Sequence, residues 1–105
     1  MEFHPEANQV EYVLSPARIS KSIAEKARKV ALSASKAFKH VGLLAVELFL
    51  TKEGEILVNE VAPRPHNSGH YSIEASYTSQ FEQHIRAIMN LPLGRTENKV
   101  AGVMV

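Results

Sequence analysis

One stretch of this sequence gathers most of the groups able to do chemistry. Val58-Asn59-Glu60-Val61-Ala62-Pro63-Arg64-Pro65-His66-Asn67-Ser68-Gly69-His70 holds a carboxylate, a guanidinium, two imidazoles, a hydroxyl and two prolines, with nearly no apolar filler. Pro63 and Pro65 each lack an N–H and fix φ, which excludes both helix and central strand there. They also push Ala62 and Arg64 toward extended backbone. The outcome is a stiff, polar loop on the end of a strand, a usual place for a ligand. Arg64 offers a planar fork matched to phosphate or carboxylate. With Asn67, Ser68 and backbone N–H groups of a Ser68-Gly69 turn, it predicts contact with a bound anion. A structural loop tied by its own hydrogen bonds is the alternative. His66 and His70, four residues apart, would make a zinc face only on a helix, which Pro65 and Gly69 oppose. Glu60 also lies too far upstream for a zincin motif.

A second carboxylate belongs with the first. Leu43-Leu44-Ala45-Val46-Glu47-Leu48-Phe49-Leu50 reads as a strand buried on both faces, interrupted only by Glu47. A buried charge needs a partner. Lys52-Glu53-Gly54-Glu55 supplies a hairpin turn and Ile56 to Val61 returns. With the turn centred between Glu53 and Gly54, opposed residues sum to 107 and Glu47 faces Glu60, their Cβ atoms roughly 4.5–5.5 Å apart. Like charges so placed repel, so either one stays protonated or a cation sits between them. Magnesium suits one or two carboxylates completed by phosphates and water. A separate salt bridge from each glutamate to its own cation is the competing reading, and a one-residue bulge would break the register.

The elements that position these groups follow from periodicity. Gln9-Val10-Glu11-Tyr12-Val13-Leu14 is strand-like and Ser15-Pro16 closes it. From Ala17 to Lys39 the apolar Ile23, Ala27, Val30, Ala31, Ala34 and Phe38 recur at three- and four-residue steps, an amphipathic helix capped by Ser20 or Ser15, with Gly42 just past its end. Its basic face reads as solvated, not as a nucleic-acid stripe, since stacking aromatics are absent. Thr78 or Ser79 starts a second helix through Phe81, Ile85, Ile88 and Met89, and Leu91-Pro92-Leu93-Gly94 ends it. His4, His40 and His84 have no evident partner in the sequence and read as surface or boundary residues.

Composition sets the limits. At 105 residues and 45% hydrophobic content the chain is a small globular unit, not a disordered one. A net charge of +1 favours neither nucleic acid nor an acidic partner. With no cysteine there is no disulfide framework and no thiolate chemistry, which is compatible with the cytoplasm. No apolar run approaches a membrane span, and Met1-Glu2-Phe3-His4-Pro5 is no signal peptide. The abrupt start and the apolar run Val100-Ala101-Gly102-Val103-Met104-Val105 at the other end predict a piece of a larger domain, with open edges that self-associate.

Ala45 to Phe49, Asn59 to His70, Ile73-Glu74-Ala75, Thr78 to Ile88 and Asn90 to Gly94, with Pro16 to Ser20 upstream, resemble the 5-(carboxyamino)imidazole ribonucleotide synthases. These are ATP-grasp enzymes of purine biosynthesis, the ATPase subunit of phosphoribosylaminoimidazole carboxylase. The resemblance covers nearly the whole chain and departs from the broader superfamily at Ala62, where an Asn is usual. It implies an α/β (α+β) fold: the C-terminal half of an ATP-grasp domain over residues 1–105, a mainly antiparallel sheet with two principal helices. A cytoplasmic ligase is implied, homodimeric at full length, that joins ATP, bicarbonate and aminoimidazole ribonucleotide through carboxyphosphate. Glu47 and Glu60 match its Mg2+ ligands beneath ATP. Arg64, His66, Asn67, Ser68 and His70 match its substrate segment, with Arg64 as the catalytic group on carboxyphosphate. The family's N-terminal domain, glycine-rich nucleotide loop and C-terminal domain are not recognisable here, so the chain alone is expected to be inactive.

Overall fold

A computed structural model of the chain describes residues 2–3 and 10–105; His4 and Gln9 lie outside the described residues. In chain order the elements are β1 (Glu2–Phe3), β2 (Val10–Ser15), α1 (Lys21–Phe38), β3 (Ala45–Leu50), β4 (Ile56–Ala62), α2 (Ser72–Ala75), α3 (Gln80–Ile88) and β5 (Gly102–Met104). A single 3₁₀ turn, Asn67–Gly69, lies between β4 and α2. All strand pairings are antiparallel: one sheet has the order β1-β2-β5 and the other is the β3-β4 hairpin. The architecture is the α+β arrangement expected, with α1 and α3 as the principal helices. No described helix is long and apolar enough to cross a membrane.

α1 begins at Lys21, four residues later than periodicity predicts, because Ser20 is the cap: its side chain accepts the Ile23 N–H at 3.3 Å. It ends at Lys39, whose φ of 48° is left-handed. Ile23, Ala27, Val30, Ala31 and Ala34 are half-covered, facing the hairpin on which α1 packs. Phe38 stays exposed. β3 is not buried on both faces as its apolar run suggests: Phe49 and Leu50 are 48% and 47% exposed. A two-stranded ribbon whose principal neighbour is one helix leaves much apolar surface open.

α3 begins where expected but turns an unexpected face inward. Ser79 caps it, accepting from Glu82 N–H at 3.2 Å. Its apolar Phe81, Ile85, Ile88 and Met89 are exposed, while Gln80, Gln83, His84 and Ala87 form the covered face. This helix packs inward through hydrogen bonds. His84 and His40, read as unpartnered, both hold Leu43: its N–H donates to His84 Nδ1 at 3.0 Å, and His40 Nε2 lies 3.1 Å from its carbonyl. They fix the point where β3 begins. The buried residues among the described ones are Val13, Ala62 and Ala75 with the polar Ser72, Ser76 and Gln80, each 4–8% exposed. Four of these six lie between Ser72 and Gln80, next to the polar loop.

Candidate metal and anion site

The hairpin places Glu47 directly opposite Glu60, by two compensating departures from ideal geometry. The turn closes on Thr51, whose N–H donates to the Glu55 carbonyl at 3.0 Å, with Gly54 at φ 81°. Pairs near it, Leu50 with Ile56 and Leu48 with Val58, sum to 106 and not 107. A bulge in β4 then inserts Asn59 and restores Glu47 to Glu60. Bulges re-aim side chains. Here Asn59 Nδ2 donates to Glu47 Oε2 at 3.2 Å, a contact the sequence reading missed.

His66 completes the group. Its Nε2 lies 3.8 Å from Glu47 Oε1 and 3.8 Å from Glu60 Oε1. One ligand atom from each of the three side chains falls within 4.8 Å of the others. The imidazole is nearly covered, Glu47 is partly covered and Glu60 is open to solvent, at 11%, 22% and 56% side-chain exposure. The loop behind fixes the ring. Ser68 N–H donates to His66 Nδ1 at 3.4 Å and to Asn67 Oδ1 at 2.9 Å, and Ser68 Oγ lies 2.9 Å from Nδ1. A backbone N–H only donates, so Nδ1 accepts and the ring proton of the neutral imidazole sits on Nε2, facing the carboxylates.

The other candidates sit at different distances from this centre. Arg64 is exposed; its Nη1 donates to the Pro65 carbonyl at 3.1 Å, and among the described residues it pairs with neither glutamate. Most of its fork is turned to solvent. Ser68 holds His66 Nδ1, and Asn67 Oδ1 accepts the same Ser68 N–H. His70 lies apart, its ring stacked on Phe81 with centroids 5.7 Å apart. The backbone donors expected to meet an anion at Ser68-Gly69 are already used, since Ser68 N–H serves the capping side chains and Gly69 N–H donates to the His66 carbonyl at 3.0 Å. The Arg64 guanidinium and the His66 Nε2 are the polar groups of this loop that its own backbone hydrogen bonds leave available. A cavity of about 270 Å³ adjoins His66, Ser68 and Gly69 and is rich in hydroxyls, including Tyr71, Ser72 and Thr78.

Two facing carboxylates are the donor type that a hard divalent cation takes. An N–H donor beside them suits an oxyanion in that cation's coordination shell. Such a pairing, carboxylates for metal and a basic loop for an anion, is what phosphoryl chemistry needs.

Residues 1–81 match the family model of the ATP-grasp domain, and the chain belongs to the ATP-grasp family. Within it, the sequence is 57% identical over 90 residues to the N5-carboxyaminoimidazole ribonucleotide synthase of Bacillus subtilis (strain 168), over 86% of this chain and 24% of that protein. The crystal structure of N5-carboxyaminoimidazole ribonucleotide synthetase from Thermotoga maritima matches with a TM-score of 0.87 and 63% identity, covering 90% of this chain and 26% of that one. The synthase from Aspergillus clavatus, in complex with ADP and 5-aminoimidazole ribonucleotide, matches with a TM-score of 0.88 and 38% identity, covering 96% of this chain and 28% of that one. The chain thus spans a quarter or less of the length of the curated relatives it matches. The resemblance to the 5-(carboxyamino)imidazole ribonucleotide synthases over nearly the whole chain is borne out.

Proposed function

We propose that this chain supplies the divalent-cation and substrate-anion segment of an ATP- and bicarbonate-dependent ligase that carboxylates aminoimidazole ribonucleotide in purine biosynthesis. The observation that carries the reading is Glu47 opposed to Glu60, with His66 Nε2 3.8 Å from one oxygen of each. The relative solved with ADP and 5-aminoimidazole ribonucleotide supports the ligand classes. Bicarbonate attacks the γ-phosphate of ATP to give carboxyphosphate and ADP; the substrate amine then takes the carboxyl group and phosphate leaves. Glu47 and Glu60 hold Mg2+, which supplies neutralisation of phosphate charge when bound. The exposed Arg64 fork grips the carboxyphosphate anion, and His66 donates from Nε2 to the same anion. Asn67 and Ser68 keep His66 in that orientation, and His70 pins the far end of the loop to α3. We place this activity in the cytoplasm, in a longer homodimeric enzyme, the 105 residues alone not completing the cycle.

Phosphonoacetate, in which a methylene replaces the bridging oxygen of carboxyphosphate, tests the reading by calorimetric titration in Mg2+. Arg64→Ala is expected to weaken binding about tenfold, the lower end of what a charge-assisted hydrogen bond contributes. Equal affinity in the variant would remove Arg64 from the site. Binding that ignores Mg2+ would favour a non-catalytic phosphate-binding module. A self-associating role is favoured by one observation, the open apolar Phe49, Leu57 and Val58 of the hairpin. Sedimentation that rises with concentration is expected from it; a constant monomer contradicts it.

A further inference from the structure

We infer that Gln80 is a positioning residue for His66, holding the loop's imidazole in register with the hairpin carboxylates; the inference rests on the metal and anion reading of that site. Gln80 is the first residue of α3, and only 8% of its surface is exposed. Its side-chain amide makes a two-point clamp on one residue of the loop. Oε1 accepts the His66 N–H at 3.0 Å, and Nε2 donates to the His66 carbonyl at 2.8 Å. This is the pairing a neighbouring strand would give, supplied here by a side chain because Pro63 and Pro65 deny the loop a strand.

Two further contacts close the same clasp. Gln80 N–H donates to Ser72 Oγ at 2.9 Å, and Ser72 Oγ donates to the Gly69 carbonyl at 2.5 Å. The far end of the 3₁₀ turn is thereby tied to the same helix start. Gly69 also fits against the amide so closely that a Cβ there would lie 2.6 Å from Gln80 Oε1. Both ends of the turn are thus fixed by the polar side chains of two buried residues, Ser72 and Gln80, so removing one partner leaves the other unpaired at a cost.

The consequence reaches the site through geometry. With the His66 backbone clamped, its side chain has one way to satisfy Nδ1, through Ser68, and that leaves Nε2–H aimed at Glu47 and Glu60. Without the clamp the turn opens, Nδ1 loses its donor and the ring samples both tautomers in solvent. Second partners of this kind orient a site group without touching the ligand.

The test uses the 105-residue chain, 15N-labelled, at about pH 8, above the ordinary imidazole range. Side-chain nitrogen spectra report the tautomer of each histidine, and Mn2+ alone is the paramagnetic probe. In the wild type His66 is expected to show one fixed neutral tautomer with Nδ1 bare. In Gln80→Ala its two nitrogen shifts move toward the averaged values of a free imidazole, while those of His40 and His84 stay put. Mn2+ still broadens the Glu47 and Glu60 amides at the same concentration, but broadening of the His66 ring protons falls several-fold. Ser72→Ala, which cuts the Gly69 tie and the acceptor of the Gln80 N–H but leaves the side-chain amide clamp on His66 in place, is expected to move His66 the same way by a smaller amount. It decides the matter if Gln80→Ala does not fold. An unchanged His66 tautomer and ring broadening in a folded variant would overturn the inference. If Mn2+ broadens neither glutamate even in the wild type, the metal reading fails, and the tautomer shift alone still decides whether Gln80 positions His66.

Discussion

Glu60→Gln is expected to lower the affinity of the chain for Mg2+ at least about tenfold, and to raise its melting temperature slightly when EDTA removes all divalent ions. The two effects have opposite signs because they come from the same pair of charges. With no cation present, Glu47 and Glu60 face each other across the hairpin, and like charges so placed destabilise it. Neutralising one relieves the repulsion; because Glu60 is more than half exposed, the gain is a small one. With Mg2+ present, a unit charge at 4 Å is worth about 4 kcal/mol at an effective dielectric of 20. Hydration of the ion and exposure of Glu60 offset most of this, leaving at least the about 1.4 kcal/mol that corresponds to tenfold. Glu47→Gln is expected to act more strongly, since Glu47 is the more covered of the two and also holds Asn59. Calorimetric titration and thermal unfolding read both signs. Equal Mg2+ affinity in wild type and variant would mean that the pair is not a cation site.

Gly42→Ala is expected to destabilise the fold by about 2–6 kcal/mol, combining a positive-φ strain of about 1–3 kcal/mol with an overpacked contact of similar size. Gly42 has φ 111°, and a Cβ there would lie 2.9 Å from His84 Cε1, 3.0 Å from His84 Nδ1 and 3.2 Å from Ile88 Cγ2. The ring it displaces is the acceptor of the Leu43 N–H. The change therefore strains the backbone and loosens the anchor where β3, the strand that carries Glu47, begins. Against a typical total of about 5–15 kcal/mol, such a loss removes a large share of the stability. Urea unfolding of Gly42→Ala, His84→Ala and the double variant separates the parts. The clash vanishes without the ring, so the double variant loses less than the two single losses added together. A Gly42→Ala midpoint equal to wild type would show that the connector has room to give.

Much of this architecture was legible because it depends on local chemistry. The 3.6-residue stripe of α1, the serine caps, the Gly54 turn and the proline-stiffened loop all express short-range preferences, and the structure has each of them. The facing of Glu47 and Glu60 was reached with a turn centred half a residue off; the bulge at Asn59, invisible to a period-two count, made good the difference. What escaped was tertiary. Gln80 and His66 are 14 residues apart and Leu43 and His84 are 41 apart, and no periodicity announces a hydrogen bond across such distances. A weak signal existed: Gln80, His84 and Ile88 recur at four-residue steps, so two polar residues share a helix face with an apolar one. Reading α3 by its apolar residues put weight on the face that turned out to be exposed. The burial expected of β3 failed for a related reason, since an apolar run shows what a strand can bury but not how many neighbours it has.

The most direct measurement is a two-dimensional amide spectrum of the chain, titrated first with Mg2+ and then with aminoimidazole ribonucleotide and bicarbonate. Mg2+ is expected to shift Glu47, Asn59 and Glu60 first, and the second titration to move residues 64–70 only when Mg2+ is present. A well-dispersed spectrum in which Mg2+ leaves the hairpin unmoved, or moves scattered surface carboxylates such as Glu74 and Glu82 instead, would contradict the metal reading.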